Sequence, residues 1–79
     1  MANYYLVKLD EDVIDKHGVN AHLVVAKNTS AAVEICVDNA HRDDIQLWYE
    51  ADVELIGEAP ACIDEKDTNV ILTGVANNV

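Results

Sequence analysis

The sequence predicts a two-layer α+β domain in which one main helix covers a mostly antiparallel, four-stranded sheet in β-β-α-β-β order. Two patterns carry this prediction: apolar residues recur with a period of two in some segments and with a helical period in another. One helix can cover one face of a sheet of that size. The chain has 79 residues, about half the length of a typical domain, so we expect residues 1–79 to form a single domain.

Two strands are expected before the helix, at residues 3–9 and 21–27. Both segments are rich in β-branched, aliphatic and aromatic side chains. Alternation places Tyr5 and Val7 on one face of the first strand. The polar residues 10–20 between the strands form either a plain loop or one helical turn that Gly18 closes in a left-handed conformation.

A helix is expected at residues 31–41. Asn28, Thr29 and Ser30 precede it, and each has a side chain suited to capping a helix N-terminus. The i, i+3, i+4, i+7 spacing predicts one buried stripe, made of Val33, Cys36, Val37 and Ala40.

The strongest periodic signal lies at residues 45–56, where apolar side chains alternate strictly with mostly polar ones. This alternation predicts a long antiparallel strand with one face in water. Trp48 falls on the water-facing side, where it would anchor a partner. The alternative is that the strand is bent or its faces are swapped, which leaves Trp48 in the core, as is usual for a single tryptophan. A last short strand is expected at residues 69–75.

The charge distribution is the main indication of function. The net charge is −10, which excludes ordinary electrostatic binding to DNA, RNA or an anionic membrane surface. Residues 43–79 hold nine acids against a single base, Lys66. Carboxylates on every second residue of a strand stand about 6.7 Å apart. Such a row loosely resembles the charge density of a nucleic-acid backbone and would attract a basic groove, with fast and salt-sensitive association.

The candidate partner-binding residues combine the predicted anchor with the acids of the long strand and its flanking loops. They are Trp48, Glu50, Asp52, Glu54, Asp43, Asp44, Asp64, Glu65 and Asp67. The other interpretation of these acids is a solvated strand whose charges discourage pairing at the sheet edge.

No catalytic, metal or cofactor motif is present in the sequence. Cys36 and Cys62 do not stand at metal-ligand spacing with any histidine, and the acidic residues 10–15 do not match a calcium-binding loop. We therefore expect a non-enzymatic protein without cofactor or metal. Residues 1–8 do not have the pattern of a signal peptide, so we also expect a cytoplasmic protein with reduced thiols.

Three segments carry a resemblance: VVAKNTSAAVEIC at residues 24–36, ADVELIGEA at residues 51–59 and NVIL at residues 69–72. Their layout resembles that of small acidic α+β proteins encoded by phages and mobile elements, including anti-CRISPR inhibitors. The resemblance implies an inhibitor that occupies a nucleic-acid-binding surface of a host defence complex or holds its nuclease inactive. It transfers no functional residue, because those inhibitors share no common site motif.

Two hypotheses of function follow. The first is an acidic binding protein, phage-encoded, that blocks a basic nucleic-acid-binding surface of a CRISPR-Cas-like complex in the host cytoplasm without itself binding nucleic acid or membrane. The second is a small structural or assembly module that forms a homo-oligomer through strand edges.

Overall fold

The computed structural model of the chain describes residues 2–10, 12–60 and 69–74. Its elements in chain order are β1 (Asn3–Lys8), β2 (Ala21–Ala26), α1 (Thr29–Asn39), a 3₁₀ turn (Arg42–Asp44), α2 (Ile45–Tyr49), β3 (Asp52–Glu58) and β4 (Asn69–Gly74). β1 lies between β3 and β2 and is antiparallel to both, while β4 pairs antiparallel with the other edge of β2. Both helices connect β2 to β3, so the chain crosses over β1 between these two strands.

The predicted fold class, a four-stranded sheet with one main helix in β-β-α-β-β order, is wrong, because a second helix stands between α1 and β3 and the order is β-β-α-α-β-β. The first part of the expected long strand at residues 45–56 is the second helix, α2, and only its second part is strand, β3. The polypeptide therefore reverses direction around residues 50 and 51, instead of running extended from residue 45.

The burial of Trp48 explains why this segment is helical. In a strand, Trp48 and Ile45 would lie on opposite faces, whereas at i and i+3 of a helix they share one side. Trp48 is fully buried in α2, and Ile45 is partly buried. Burying a tryptophan removes roughly 200 Å² from water, which is of the order of 5 kcal/mol in favour of the helix.

The helix α1 is confirmed, with both ends two residues earlier than the predicted 31–41. Asn28 is the N-cap residue, and its side-chain oxygen accepts a hydrogen bond of 2.8 Å from the backbone N–H of Ala31. Of the predicted stripe, only Cys36 is fully buried, and Ala32 joins it. Val37 and Ala40 are partly buried against the core, and Val33 is partly buried outside it.

The main core lies between these helices and one face of the sheet. It contains the predicted face of β1 with Tyr5 and Val7, and Val24 of β2 lies opposite Tyr5 in the register. Ala32 and Cys36 of α1 and Trp48 of α2 close the core from the helix side.

The loop between β1 and β2 is ordered around one buried carboxylate, that of Asp15. One of its oxygens accepts hydrogen bonds from the backbone N–H groups of His17 and Val19, at 2.9 and 3.0 Å. The other oxygen accepts a hydrogen bond of 3.2 Å from Trp48 Nε1. The loop turns back at Gly18, whose left-handed conformation, with φ of 77°, is one of the two alternatives for this segment.

Replacing this carboxylate should destabilise the whole domain. Asp15→Ala leaves the buried Trp48 Nε1 and two part-buried backbone N–H groups without their acceptor, and we expect the free energy of unfolding to fall by about 3 kcal/mol. Asp15→Asn keeps an acceptor for the two backbone donors and should lose less. Urea denaturation, monitored by the fluorescence of Trp48, measures the free energy of unfolding of both variants.

Asp12→Ala is the matched control for this measurement, because Asp12 is an exposed acid of the same loop. It should change the free energy of unfolding by no more than about 0.5 kcal/mol. An Asp15→Ala protein as stable as the Asp12→Ala protein would contradict the role given to the carboxylate.

Candidate functional site

β3 is an edge strand whose two faces differ in chemistry. Asp52 and Glu54 lie opposite Lys8 and Leu6 of β1, so they project from the sheet face that points away from the helices. Both acids are exposed. Val53 and Leu55 are the alternate residues and project on the helix side. Over residues 52–55 the edge therefore carries acids on one face and apolar side chains on the other.

Glu50 is a further acid next to the strand. It lies in the turn between α2 and β3 and is exposed. Glu50 and Asp10 line the same shallow cleft, so a carboxylate from the β1–β2 loop also lies near this end of β3. We call Glu50, Asp52 and Glu54 the acidic edge. Lys8, the register partner of Asp52, offsets part of its charge.

The apolar side chains of β3 are unusually exposed. Leu55 is 61% exposed and Ile56 is 54% exposed. The register shifts in this region, since Tyr5 pairs with Leu55 and Tyr4 pairs with Gly57, which leaves Ile56 as an extra residue. Such a bulge bends the strand and increases its twist.

An open groove lies beside β3 on the helix side and has a volume of about 460 Å³. Its walls come from three elements: the first turns of α1, the end of α2 and the strand β3. The lining residues are Thr29, Ser30, Val33, Glu34, Tyr49 and Val53. Tyr49 is 57% exposed, so its ring presents an apolar surface at the groove.

Trp48 does not lie on the water-facing surface, and its alternative placement in the core is the one observed. Its indole is bonded to Asp15, and its ring packs on His22 with the centroids 4.6 Å apart. In this fold Trp48 therefore cannot anchor a partner directly. It fixes α2, and through α2 it fixes the neighbouring Tyr49 at the groove.

Asp43 and Asp44 serve local structure. Asp44 is buried, and its carboxylate accepts a hydrogen bond of 2.9 Å from the backbone N–H of Lys16. Asp43 is exposed and forms an ion pair of 2.6 Å with the Lys16 ammonium group. The hydrogen bond and the charge of this pair lower the pKa of Asp43 and raise the pKa of Lys16. Neither acid belongs to the acidic edge.

Three further predicted site residues, Asp64, Glu65 and Asp67, lie outside the described residues, as does Cys62. Sequence reasoning missed the groove and the exposed apolar residues Tyr49, Leu55 and Ile56. The alternation had assigned Tyr49 and Leu55 to a buried face. The signal that could have found the site was the pair Leu55–Ile56, since two consecutive large apolar residues near a strand end do not both fit the core side.

The described residues offer little for catalysis or metal binding. They contain no group of three or more histidine, cysteine, aspartate or glutamate residues arranged to hold a metal ion. Burial raises the pKa of the Cys36 thiol to about 12, so this cysteine stays protonated and is a poor nucleophile.

Comparisons with protein-family models, with curated proteins and with solved structures find no match to this chain. Across the described ranges, no helix has the length and apolar character required to cross a membrane.

His22, beneath Trp48, makes the stability of this framework depend on pH. Its Nδ1 is buried without a hydrogen-bond partner among the described residues. Burial lowers the pKa of His22 below its ordinary value of 6.5, and the nearby Asp15 carboxylate opposes this only in part. The unfolded chain therefore takes up a proton near pH 6.5, whereas the folded chain does so only at lower pH. The contribution of neutral His22 to the free energy of unfolding is fully present above pH 6.5. It is lost as the pH drops through the folded-state pKa of His22.

Urea unfolding at pH 7.5, 6.5 and 5.5 should show this loss of stability on acidification. His22→Gln should reduce the slope between pH 7.5 and 5.5, whatever its stability at pH 7.5. His17→Gln, at an exposed position of the β1–β2 loop, should keep the slope of the parent chain. Equal slopes in the parent and the His22→Gln protein would show that another group titrates.

Proposed function

We propose that the chain is a non-enzymatic binding protein that covers a basic, nucleic-acid-binding surface of a partner protein with its acidic edge. One observation carries the proposal: Asp52 and Glu54 project into solvent from the same face of an edge strand. Glu50 and Asp10, which line one cleft near the start of β3, add negative charge at that end of the strand. The net charge of −10 strengthens the attraction to a basic partner at long range.

The spacing of these carboxylates suits a surface that otherwise binds phosphates. Side chains on alternate strand residues stand about 6.7 Å apart, a row of charges that loosely resembles the charge density of a nucleic-acid backbone. A basic groove that meets several such charges gains Coulomb energy and releases its own counterions. The association should therefore be fast and should weaken steeply as salt is added.

The resemblance of the sequence to small acidic phage proteins supports one class of partner. This class is a bacterial defence complex of the CRISPR-Cas type, or its nuclease, in the cytoplasm. Within the described residues, the apolar contacts for such a partner come from Leu55 and Tyr49, in place of the buried Trp48.

The alternative function is a homo-oligomer built through strand edges. The exposed Leu55 favours it, because a second copy could cover this side chain, whereas the acids of the strand disfavour it. Two β3 edges paired in antiparallel fashion bring Asp52 and Glu54 of each copy close to acids of the other copy. Like charges in neighbouring strands destabilise the pair. The charge therefore favours a basic partner over a second copy at this edge.

Charge reversal tests the proposal. Asp52→Lys/Glu54→Lys should weaken partner binding by about 10- to 100-fold, because it replaces attraction by repulsion. Asp12→Lys/Asp38→Lys changes the net charge equally at exposed sites outside the acidic edge and should bind almost as the parent does. The tagged proteins are incubated with nuclease-treated bacterial lysate, eluted with a salt gradient, and the bound proteins are identified by mass spectrometry.

A second step measures the blocking activity. Each captured protein is purified, and its binding to DNA or RNA is followed by mobility shift with and without the chain. The parent and the control variant should displace nucleic acid, and the Asp52→Lys/Glu54→Lys variant should not. Equal displacement by the two variants, or capture of only the chain itself, would refute the proposal.

A further inference from the structure

We infer that the partner supplies an extended segment of alternating apolar and basic residues, which adds to the outer edge of β3 as a new strand. The inference rests on the proposed function for the sign of the partner's charge, and it adds how the partner is held. Strand addition provides main-chain hydrogen bonds, and the side chains of the added strand provide specificity.

The outer edge of β3 is available for such pairing. β3 is the terminal strand of the sheet, and its outer side pairs with none of the described residues. An edge strand presents backbone N–H and C=O groups in a row, which is a template for another strand. The strand has seven residues, long enough for a partner segment of about the same length.

The two faces of β3 determine which side chains fit the added strand. Its residues would alternate between the same two faces as those of β3. On the helix side they would meet Leu55 and the groove that Val53 and Tyr49 help to line. On the other side they would lie beside Asp52 and Glu54. A segment with apolar residues toward the groove and basic residues toward the acids satisfies both faces.

Charges and bulges are also the means by which proteins protect edge strands from aggregation, and β3 has both. Protection alone does not explain the apolar surface. Tyr49, Leu55 and Ile56 are each more than half exposed, and the first two lie at the groove side of the strand. An edge strand that only has to stay unpaired gains nothing from apolar side chains exposed beside an open groove. A binding site gains affinity from them, because a partner can bury them.

Synthetic peptides test the inference without an identified partner. The probe is a fluorescein-labelled octapeptide that alternates valine with lysine, with blocked termini. Its control has four lysines followed by four valines, so composition and charge are identical and only the alternation is lost. A third peptide carries N-methyl groups on alternate residues, which removes half of the strand hydrogen bonds. Fluorescence anisotropy measures the affinity of the intact chain for each.

We expect the alternating peptide to bind at least tenfold more tightly than the block peptide, and N-methylation on the paired side to abolish this advantage. Leu55→Ser should weaken binding of the alternating peptide by about fivefold or more. Ile14→Ser should not, although Ile14 is a similarly exposed apolar residue of the β1–β2 loop. Bound peptide should also slow hydrogen exchange at amides of β3.

The other outcomes separate this inference from the proposed function. Equal binding of the alternating and block peptides, lost in Asp52→Lys/Glu54→Lys, would overturn strand addition and leave the acidic edge as the binding site. Tight binding of the alternating peptide that survives this charge reversal would overturn the basic character of the segment. A dimer in sedimentation analysis that Leu55→Ser dissociates would identify a second copy as the occupant and overturn the inference.

Discussion

The hydrogen bond between the Trp48 indole and the Asp15 carboxylate is the constraint on which the rest of the structure depends. It joins two segments 33 residues apart, the β1–β2 loop and α2. The same carboxylate holds the backbone of the loop, so the indole and the turn at Gly18 share one acceptor group. A buried carboxylate is tolerated only when it is bonded in this way. Asp15 therefore determines where α2 lies, and α2 determines where Tyr49 and Glu50 meet β3.

Local patterns were sufficient to predict the elements that depend on local interactions. The first two strands and α1 follow from periodicity, and Asn28 caps the helix through a contact three residues away. Residues 45–49 could not be predicted in the same way, because Ile45, Leu47 and Tyr49 continue the alternation of the strand that follows, although this places Trp48 on the water-facing side. The distant carboxylate of Asp15 and the imidazole of His22 decide between strand and helix. The acids of the site were visible in the sequence, whereas the groove needs three elements brought together in space.

The acidic edge has two physical effects that do not conflict. Its charges repel a second copy of β3 and so keep an exposed, partly apolar strand from pairing with itself. In the proposed function, the same charges attract a basic segment and orient it before contact. Lys8 opposite Asp52 reduces the repulsion within the row while leaving Glu50 and Glu54 uncompensated by any register partner of positive charge. Avoidance of self-association and recognition of a partner thus require the same residues.

Binding costs conformational entropy, which explains why the buried residues Trp48 and Cys36 matter for a site on the surface. A peptide that adds to a strand loses conformational freedom, so little affinity remains if the protein must also become ordered. In this chain the walls of the groove are fixed in advance: α1 by its Asn28 cap and the buried Cys36, and α2 by Trp48. Because Trp48 packs on His22, protonation of that imidazole weakens the support of α2 and with it one wall of the groove.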